Sequence, residues 1–396
     1  MTIPLSHATV EERRAARRRP DRLTRLPEQY FVALRDLVEA AAALPGEPLV
    51  DLSRGNPEVG PPQHVVDALC AAVARPVAHG YASPLGLPEL REALAERYRS
   101  LYGVELDPER EVAVVPGTKT AVAELALVLA DRGRKVVLPV PGYPDYLSGV
   151  VLAGARAERV RLDAADSYAP DFDSLPRDAA ALYLNYPSNP CAVCAPQGVF
   201  DDAVHWAEET GTVVVHDSAY TDLVFDGREP ESFLAVPGAM EVGVELFSMS
   251  KTYGMAGWRL GFVVGNAEIV ARLNLLTMHV RSGVFRPVQE AGVAALTGPQ
   301  TSVEERRARY EARRNRVTEA TGARSEGTFF AWIRLPEGVT AAKLLADARL
   351  AVAPGEGFGA RGVGWARISL AVADEVLDRG LERLVRFFQL SPKVSR

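Results

Sequence analysis

The feature that most constrains this chain is a rhythm of short, almost uninterrupted apolar runs separated by helical stretches. The runs are EVAVV (111–115), KVVLPV (135–140), ERVRL (158–162), AALYLNY (180–186), TVVVHD (212–217), VELFSMS (244–250) and LGFVVG (260–265). Patterns such as TAVAELALVLADRG and FDDAVHWAEETG lie between most of them. A strand that is apolar along its whole length must be covered on both faces. The rhythm therefore predicts an α/β fold built on a mostly parallel seven-stranded sheet with helices on each side. A chain of 396 residues is long for one domain. Its ends read differently from its middle. A helical pattern spans Leu26–Ala43, extended residues follow near 49–52, and the turn-rich SRGNPEVGPP occupies 53–62. Residues 301–322 read as one long charged helix, followed by FFAWIRL, a helix near 340–348, RLAVAP, ARISLAV and a helix near 374–389. The expected division is a large domain at 61–296, a smaller α+β domain from 26–60 and 297–396, and an N-terminal arm at 1–25.

Composition excludes several classes. A net charge of -6 argues against a nucleic-acid binder, and no apolar run reaches the length of a membrane span. The opening residues lack the apolar core of a secretory signal, and three cysteines do not staple a chain of this length. A cytoplasmic setting is expected. The Arg13–Arg19 cluster is read as a solvated arm, because acids and alanines interrupt it.

In such a sheet ligands gather outside the carboxyl ends of the strands. Polar residues that end the apolar runs are therefore the candidates: Gly117-Thr118-Lys119, Tyr143, Asn185 and Asn189, Asp217 and Tyr220, and Ser248-Met249-Ser250-Lys251. Lys251 is one of only five lysines and follows a buried run. Either it is a desolvated amine, nucleophilic toward a carbonyl, or it is a strand-end lysine paired with a carboxylate. Asp217 either caps the next turn or faces a buried cation such as a protonated ring nitrogen. Ser248, Arg259 and the amides of a helix opening at Gly117-Thr118-Lys119 would suit a dianion. Arg367 is either a surface arginine or a bidentate grip on a carboxylate. No G-x-G-x-x-G follows the first run, and Gly-Thr-Lys lacks the full spacing of a P-loop. Cys191 and Cys194 have no second pair or nearby histidine, so no metal site is expected; small apolar fillers or a redox pair remain.

These residues, in this order, resemble the class I/II aminotransferases, the pyridoxal-phosphate enzymes of fold type I. The branch containing LL-diaminopimelate, aspartate and alanine aminotransferases is nearest. The resemblance runs from about residue 25 onward, in RLPEQYFVALRDLV, HGYASPLGLPELREALAERY, PGTKTAVAEL, PVPGYPDY, NYPSNP, VVVHDSAYTDLVFDG, SMSKTYGMAGWRLGF, GTFFAW and GWARISL. Most specific is Ser-x-Ser-Lys with an arginine eight residues later, preceded by Asn189, Asp217 and Tyr220. The resemblance implies transfer of an amino group between an α-amino acid and a 2-oxo acid, with pyridoxal 5'-phosphate carried on Lys251. It implies that Asp217 keeps the pyridine nitrogen protonated and that Asn189 and Tyr220 bond the ring oxygen. Tyr143 would stack on the ring. Ser248, Arg259 and Gly117-Thr118-Lys119 would hold the phosphate, with Ser250 a weaker candidate. Arg367 and Asn189 would bind substrate, and Gly55 would line the mouth. Tyr81 would reach the neighbouring subunit's phosphate, which implies a homodimer.

The chain departs from the family at three places. Asn189-Pro190-Cys191-Ala192 replaces Asn-Pro-Thr-Gly, Arg281-Ser282-Gly283 replaces Asp-Ser-Gly, and Gly55-Asn56-Pro57 replaces Gly-Asp-Pro. Arg281 and Arg286 either select an acidic side chain or lie on the dimer surface. Because the same fold also runs other chemistry, a specialised lyase, cyclase or oxidase of amino-acid substrates is the alternative. A non-catalytic cofactor-binding regulator is disfavoured by the complete residue set.

Overall fold

A computed structural model describes residues 21–390. The Arg13–Arg19 cluster, and with it most of the expected arm, lies outside the described residues. In chain order the strands are β1 (Val50–Asp51), β2 (Val112–Val115), β3 (Lys135–Val140), β4 (Arg156–Arg161), β5 (Ala179–Leu184), β6 (Val213–Asp217), β7 (Gly243–Ser248), β8 (Gly261–Gly265), β9 (Phe330–Arg334), β10 (Leu350–Ala351), β11 (Ala353–Pro354) and β12 (Trp365–Ser369). The seven strands β2–β8 form one sheet in the order β2-β8-β7-β6-β5-β3-β4. All pairs are parallel except those of β8, which runs antiparallel between β2 and β7. Each apolar run of the sequence supplies one strand.

Both faces are covered, as the patterning requires. Along β6, Val214 joins one apolar cluster and Val215 another; along β3, Val137 and Val136 divide the same way. Successive strand residues point to opposite faces, so this alternation places a packed layer on each side. β4 departs from the expectation of a buried run. It begins at Arg156, and of its RAERVR only Val160 is buried. It is the sheet's edge, where charged side chains discourage pairing with another chain.

Two smaller sheets stand apart from the large one. β1 pairs in parallel with β10, joining residues some three hundred positions apart, and β11-β12-β9 form an antiparallel sheet. The helices Thr301–Thr321 and Asp374–Leu390 pack together, and buried Arg313 on the first bonds Glu58 at 2.5 Å and Asp374 at 3.2 Å. No helix among the described residues is long and apolar enough to cross a membrane.

One close contact joins two helices that cover the large sheet. Helix Tyr146–Ala153 lies against helix Thr118–Leu129, where a Cβ on Gly149 would stand 2.7 Å from the Ala123 Cα. Gly149→Val is expected to lower stability by about 1–3 kcal/mol through overpacking, read as a fall in the apoprotein's melting temperature. An unchanged melting temperature would show that the two helices do not touch there.

Candidate active site

The strand ends converge on one cavity of about 550 Å³. From the large sheet it is lined by Thr118, Lys119, Tyr143, Asn185, Asn189, Asp217, Tyr220, Ser248, Ser250, Lys251 and Arg259. The other wall brings Phe31 and Ser53, Gly55 and Asn56, Phe330 of β9 and Arg367 of β12. Of the residues singled out from the sequence, Tyr81 does not line it; its side chain is almost completely exposed. Gly117 lies behind the wall. Its φ is +84°, and a Cβ there would come within 2.3 Å of the Arg259 guanidinium. Only glycine allows the arginine to lie against this turn.

Asp217 ends β6 and is buried. Its Oδ2 accepts from the Tyr146 hydroxyl at 2.7 Å, while its Oδ1 is buried with no partner. Burial pushes the carboxyl's pKa up, opposed first by the Tyr146 bond and then by His216, the Ala219 backbone amide and the charge on Lys251. Beside it, Asn185 donates from Nδ2 to the Asp217 carbonyl at 2.7 Å and accepts from the Asn189 amide at 2.8 Å. Asn185 thus clips the loop carrying Asn189 to β6.

Lys251 follows β7, on the short helix Met249–Thr252 capped by the Ser248 hydroxyl. Its Nζ lies 5.1 Å from the Phe329 ring centre and 5.9 Å from that of Tyr220. Burial, then Arg367 and Arg259, lowers its pKa to about 8, with Asp217 opposing. This environment favours the desolvated-amine reading over a paired strand-end lysine.

Arg259 occupies the left-handed region at φ 58° and donates from Nη1 to the Ala256 carbonyl at 2.8 Å. It leans on the N-terminus of helix Thr118–Leu129, whose first amides have no partner within the helix. The Lys119 ammonium turns away to Asp145, 2.8 Å from Oδ2, so only the backbone amide of Lys119 remains for an anion.

Arg367 is 1% exposed, which removes the surface-arginine reading. It lies 3.9 Å from the Phe330 ring centre, 4.8 Å from Phe358 and 5.4 Å from Phe31. Its Nη1 donates to Asn189 Oδ1 at 2.8 Å and its Nη2 to the Ser53 carbonyl at 3.3 Å. Burial lowers its pKa to about 10. At Gly55 a Cβ would meet Phe330 at 2.8 Å.

Sequence reasoning named Asn185 at its strand end without a role and missed Tyr146, Phe31 and Phe330. Tyr146 opens the helix that follows Tyr143, and the two rings meet edge to face with centres 5.4 Å apart. Arg281 and Arg286 do not line the cavity: Arg281 grips Glu124 at 2.8 and 3.0 Å, and Arg286 bonds Glu290 at 2.8 Å. Cys191 and Cys194 are free thiols whose pKa burial pushes up, that of Cys194 to about 12. Without thiolate at neutral pH they fit the filler reading. No group of metal-binding side chains occurs among the described residues.

Pyridoxal phosphate can be tested against this set. The partnerless Asp217 Oδ1 suits a protonated ring nitrogen. Arg259 beside a helix N-terminus suits a phosphate, and the neutralisable amine of Lys251 suits an aldehyde. The residues fit the group.

The family model for aminotransferase class I and II matches residues 47–384. The chain is 42% identical over 376 residues to L-glutamine--4-(methylsulfanyl)-2-oxobutanoate aminotransferase of Bacillus subtilis, covering 91% of this chain and 94% of that one. It is 37% identical to LL-diaminopimelate aminotransferase of Moorella thermoacetica, covering 92% and 97%. Among solved structures, substrate-bound BacF from Bacillus subtilis superposes with a TM-score of 0.87 at 34% identity, covering 94% of this chain and 98% of that one.

Two expected outcomes follow from the geometry. Gly117→Ala forces a side chain into a backbone region that costs about 1–3 kcal/mol and displaces Arg259, so the dissociation constant for pyridoxal phosphate should rise about tenfold or more. Wild-type affinity would mean that the turn and the arginine do not act together. Loading of the apoprotein, followed by visible absorbance, should rise through pH 8 rather than near the 10.5 of an unburied lysine. Between about 8 and 10.5 the unfolded chain binds the proton that the folded one has lost. Apoprotein stability should therefore climb with pH in that window, and Lys251→Met should flatten the climb.

Proposed function

The chain belongs to the class I and II aminotransferases, and on that premise we propose how its residues divide the transfer of an amino group between an α-amino acid and a 2-oxo acid. Its matches over nine-tenths of the chain are aminotransferases, so the lyase, cyclase or oxidase alternative falls away. The cofactor of the family is pyridoxal 5'-phosphate. When bound, it supplies an electron-withdrawing ring that makes the substrate Cα–H acidic.

The observation that carries the assignment is the buried, partnerless Oδ1 of Asp217 in the same cavity as Lys251. Asp217 holds the proton on the ring nitrogen, and Tyr146 orients its carboxylate. Lys251 would hold the cofactor's aldehyde, and its Nζ, kept neutral by burial, would move a proton between the substrate Cα and the neighbouring carbon. Tyr143 would pack on the ring face, and Asn189 and Tyr220 would bond the ring oxygen. Arg259, Ser248 and the amides at Thr118 and Lys119 hold the phosphate, with Gly117 leaving room. Arg367 grips the α-carboxylate, Asn189 steadies that guanidinium, and Gly55 keeps the mouth open.

The working unit we propose is a homodimer in which Tyr81 reaches the neighbour's phosphate. Support comes from an exposed apolar surface: Val77 and Tyr81 flank His79, whose ring touches exposed Phe285. Residues 26–60 and 297–396 would form the smaller domain against 61–296. Free cysteines fit a cytoplasmic setting.

Asp217→Asn should keep bound cofactor and lose turnover by about 10²–10⁴, the rate equivalent of stranding one member of a buried ion pair. Near-normal turnover would remove Asp217 from this role. Borohydride should fix the cofactor on Lys251 by peptide mapping; a label on another lysine would overturn the assignment.

A further inference from the structure

The cations around the cavity fall into two groups. Lys251, Arg259 and Arg367 have no carboxylate partner within ion-pair distance among the described residues. Every other cation lining the cavity is already held by an acid. Lys119 pairs with Asp145 at 2.8 Å, Arg35 with Asp36 at 2.8 Å and Glu39 at 4.0 Å, and Arg54 with Asp51 at 2.7 Å and Glu39 at 3.8 Å. Pairs as exposed as those at the rim exchange partners readily. Arg35 and Arg54 line the cavity, and the three carboxylates that hold them, Asp36, Glu39 and Asp51, stand outside its lining and outnumber them. Arg281 and Arg286, the cations that departed from the family pattern, are held by Glu124 and Glu290 in whichever subunit they stand.

The three open cations match three groups: the cofactor's aldehyde, its phosphate and the substrate's α-carboxylate. None remains in the same subunit for a second carboxylate. The wall beyond Arg367 is apolar, made of Phe31, Leu34 and Phe330. A side-chain carboxylate there would lose water and meet only guanidiniums already held by acids.

We propose that this aminotransferase selects amino acids with uncharged side chains and discriminates against acidic ones, with Phe31, Leu34 and Phe330 as the side-chain wall and Asp36, Glu39 and Asp51 as the acids that keep Arg35 and Arg54 occupied. The proposal rests on the aminotransferase reading above.

L-Glutamine and L-glutamate are the cleanest probes, being equal in shape and different in one charge. With the holoenzyme, kcat/KM for the amino-donor half-reaction should be at least about tenfold higher for L-glutamine and L-leucine than for L-glutamate. A ratio below tenfold for both overturns the proposal. The double variant Asp36→Asn/Glu39→Gln removes the acids that hold Arg35. It should raise kcat/KM for L-glutamate at least about threefold and leave that for L-leucine unchanged. A glutamate value that does not move overturns the role of these acids. Failure of the half-reaction with all three amino acids overturns the aminotransferase reading itself, an outcome distinct from either of the others.

Discussion

The bare oxygen of the Asp217 carboxylate is the constraint on which the site depends. β6 runs through three valines and His216 to Asp217 and lies between β5 and β7, so the carboxylate that ends it is buried. A buried charge with an open lone pair is costly unless a cation or donor meets it. Tyr146 satisfies one oxygen and leaves the other pointing where a ring N–H would sit. Sheet order then places the partners. The loop after β5 brings Asn185 and Asn189 to one side of Asp217, and the turn after β7 brings Lys251 to the other.

Support for this arrangement comes from the far side of the sheet. His216 precedes Asp217 and so points the opposite way. Its two ring nitrogens face acceptors on both sides: Glu245 of β7 at 2.8 Å and the Tyr186 carbonyl at 3.0 Å. Glu245 also accepts from the Tyr98 hydroxyl, the Ser232 hydroxyl and the Phe233 amide. This satisfied network joins β6, β7 and helix Pro88–Tyr102 to the loop that carries Asn189. Asn185 fastens the same loop from the cavity side, so both faces of the sheet fix the distance between Asn189 and Asp217.

How much of this was legible in the sequence depended on the range of the interaction. The seven strands could be read because their covering on both faces leaves a local signature; only the polar edge strand β4 blurred it. Asp217, Lys251 and Ser248 could be read because each interrupts such a run at a strand end. The aromatic box around Arg367 could not: Phe31, Phe330 and Phe358 come from segments up to some three hundred residues apart, and nothing local says that they meet. Nor does a sequence reveal which acid claims which base. Lys119 looks like a phosphate ligand until Asp145 is seen beside it, and Arg281 looks like a substrate ligand until Glu124 is.

The open cations also explain how one amine can serve as both nucleophile and base. Lys251 is kept from protonation by burial and by the uncompensated charges of Arg367 and Arg259. A phosphate against Arg259 and a carboxylate against Arg367 cancel those charges. Each removes a repulsion that a proton on Lys251 would feel, so ligand binding raises the amine's proton affinity. The residue is thus least basic in the empty cavity. It becomes more basic once substrate is seated, which is when a proton must leave Cα. An acid paired permanently with any of the three cations would remove that coupling. The partnerless state of Lys251, Arg259 and Arg367 is therefore the property of the cavity that lets Asp217 and Lys251 act in turn.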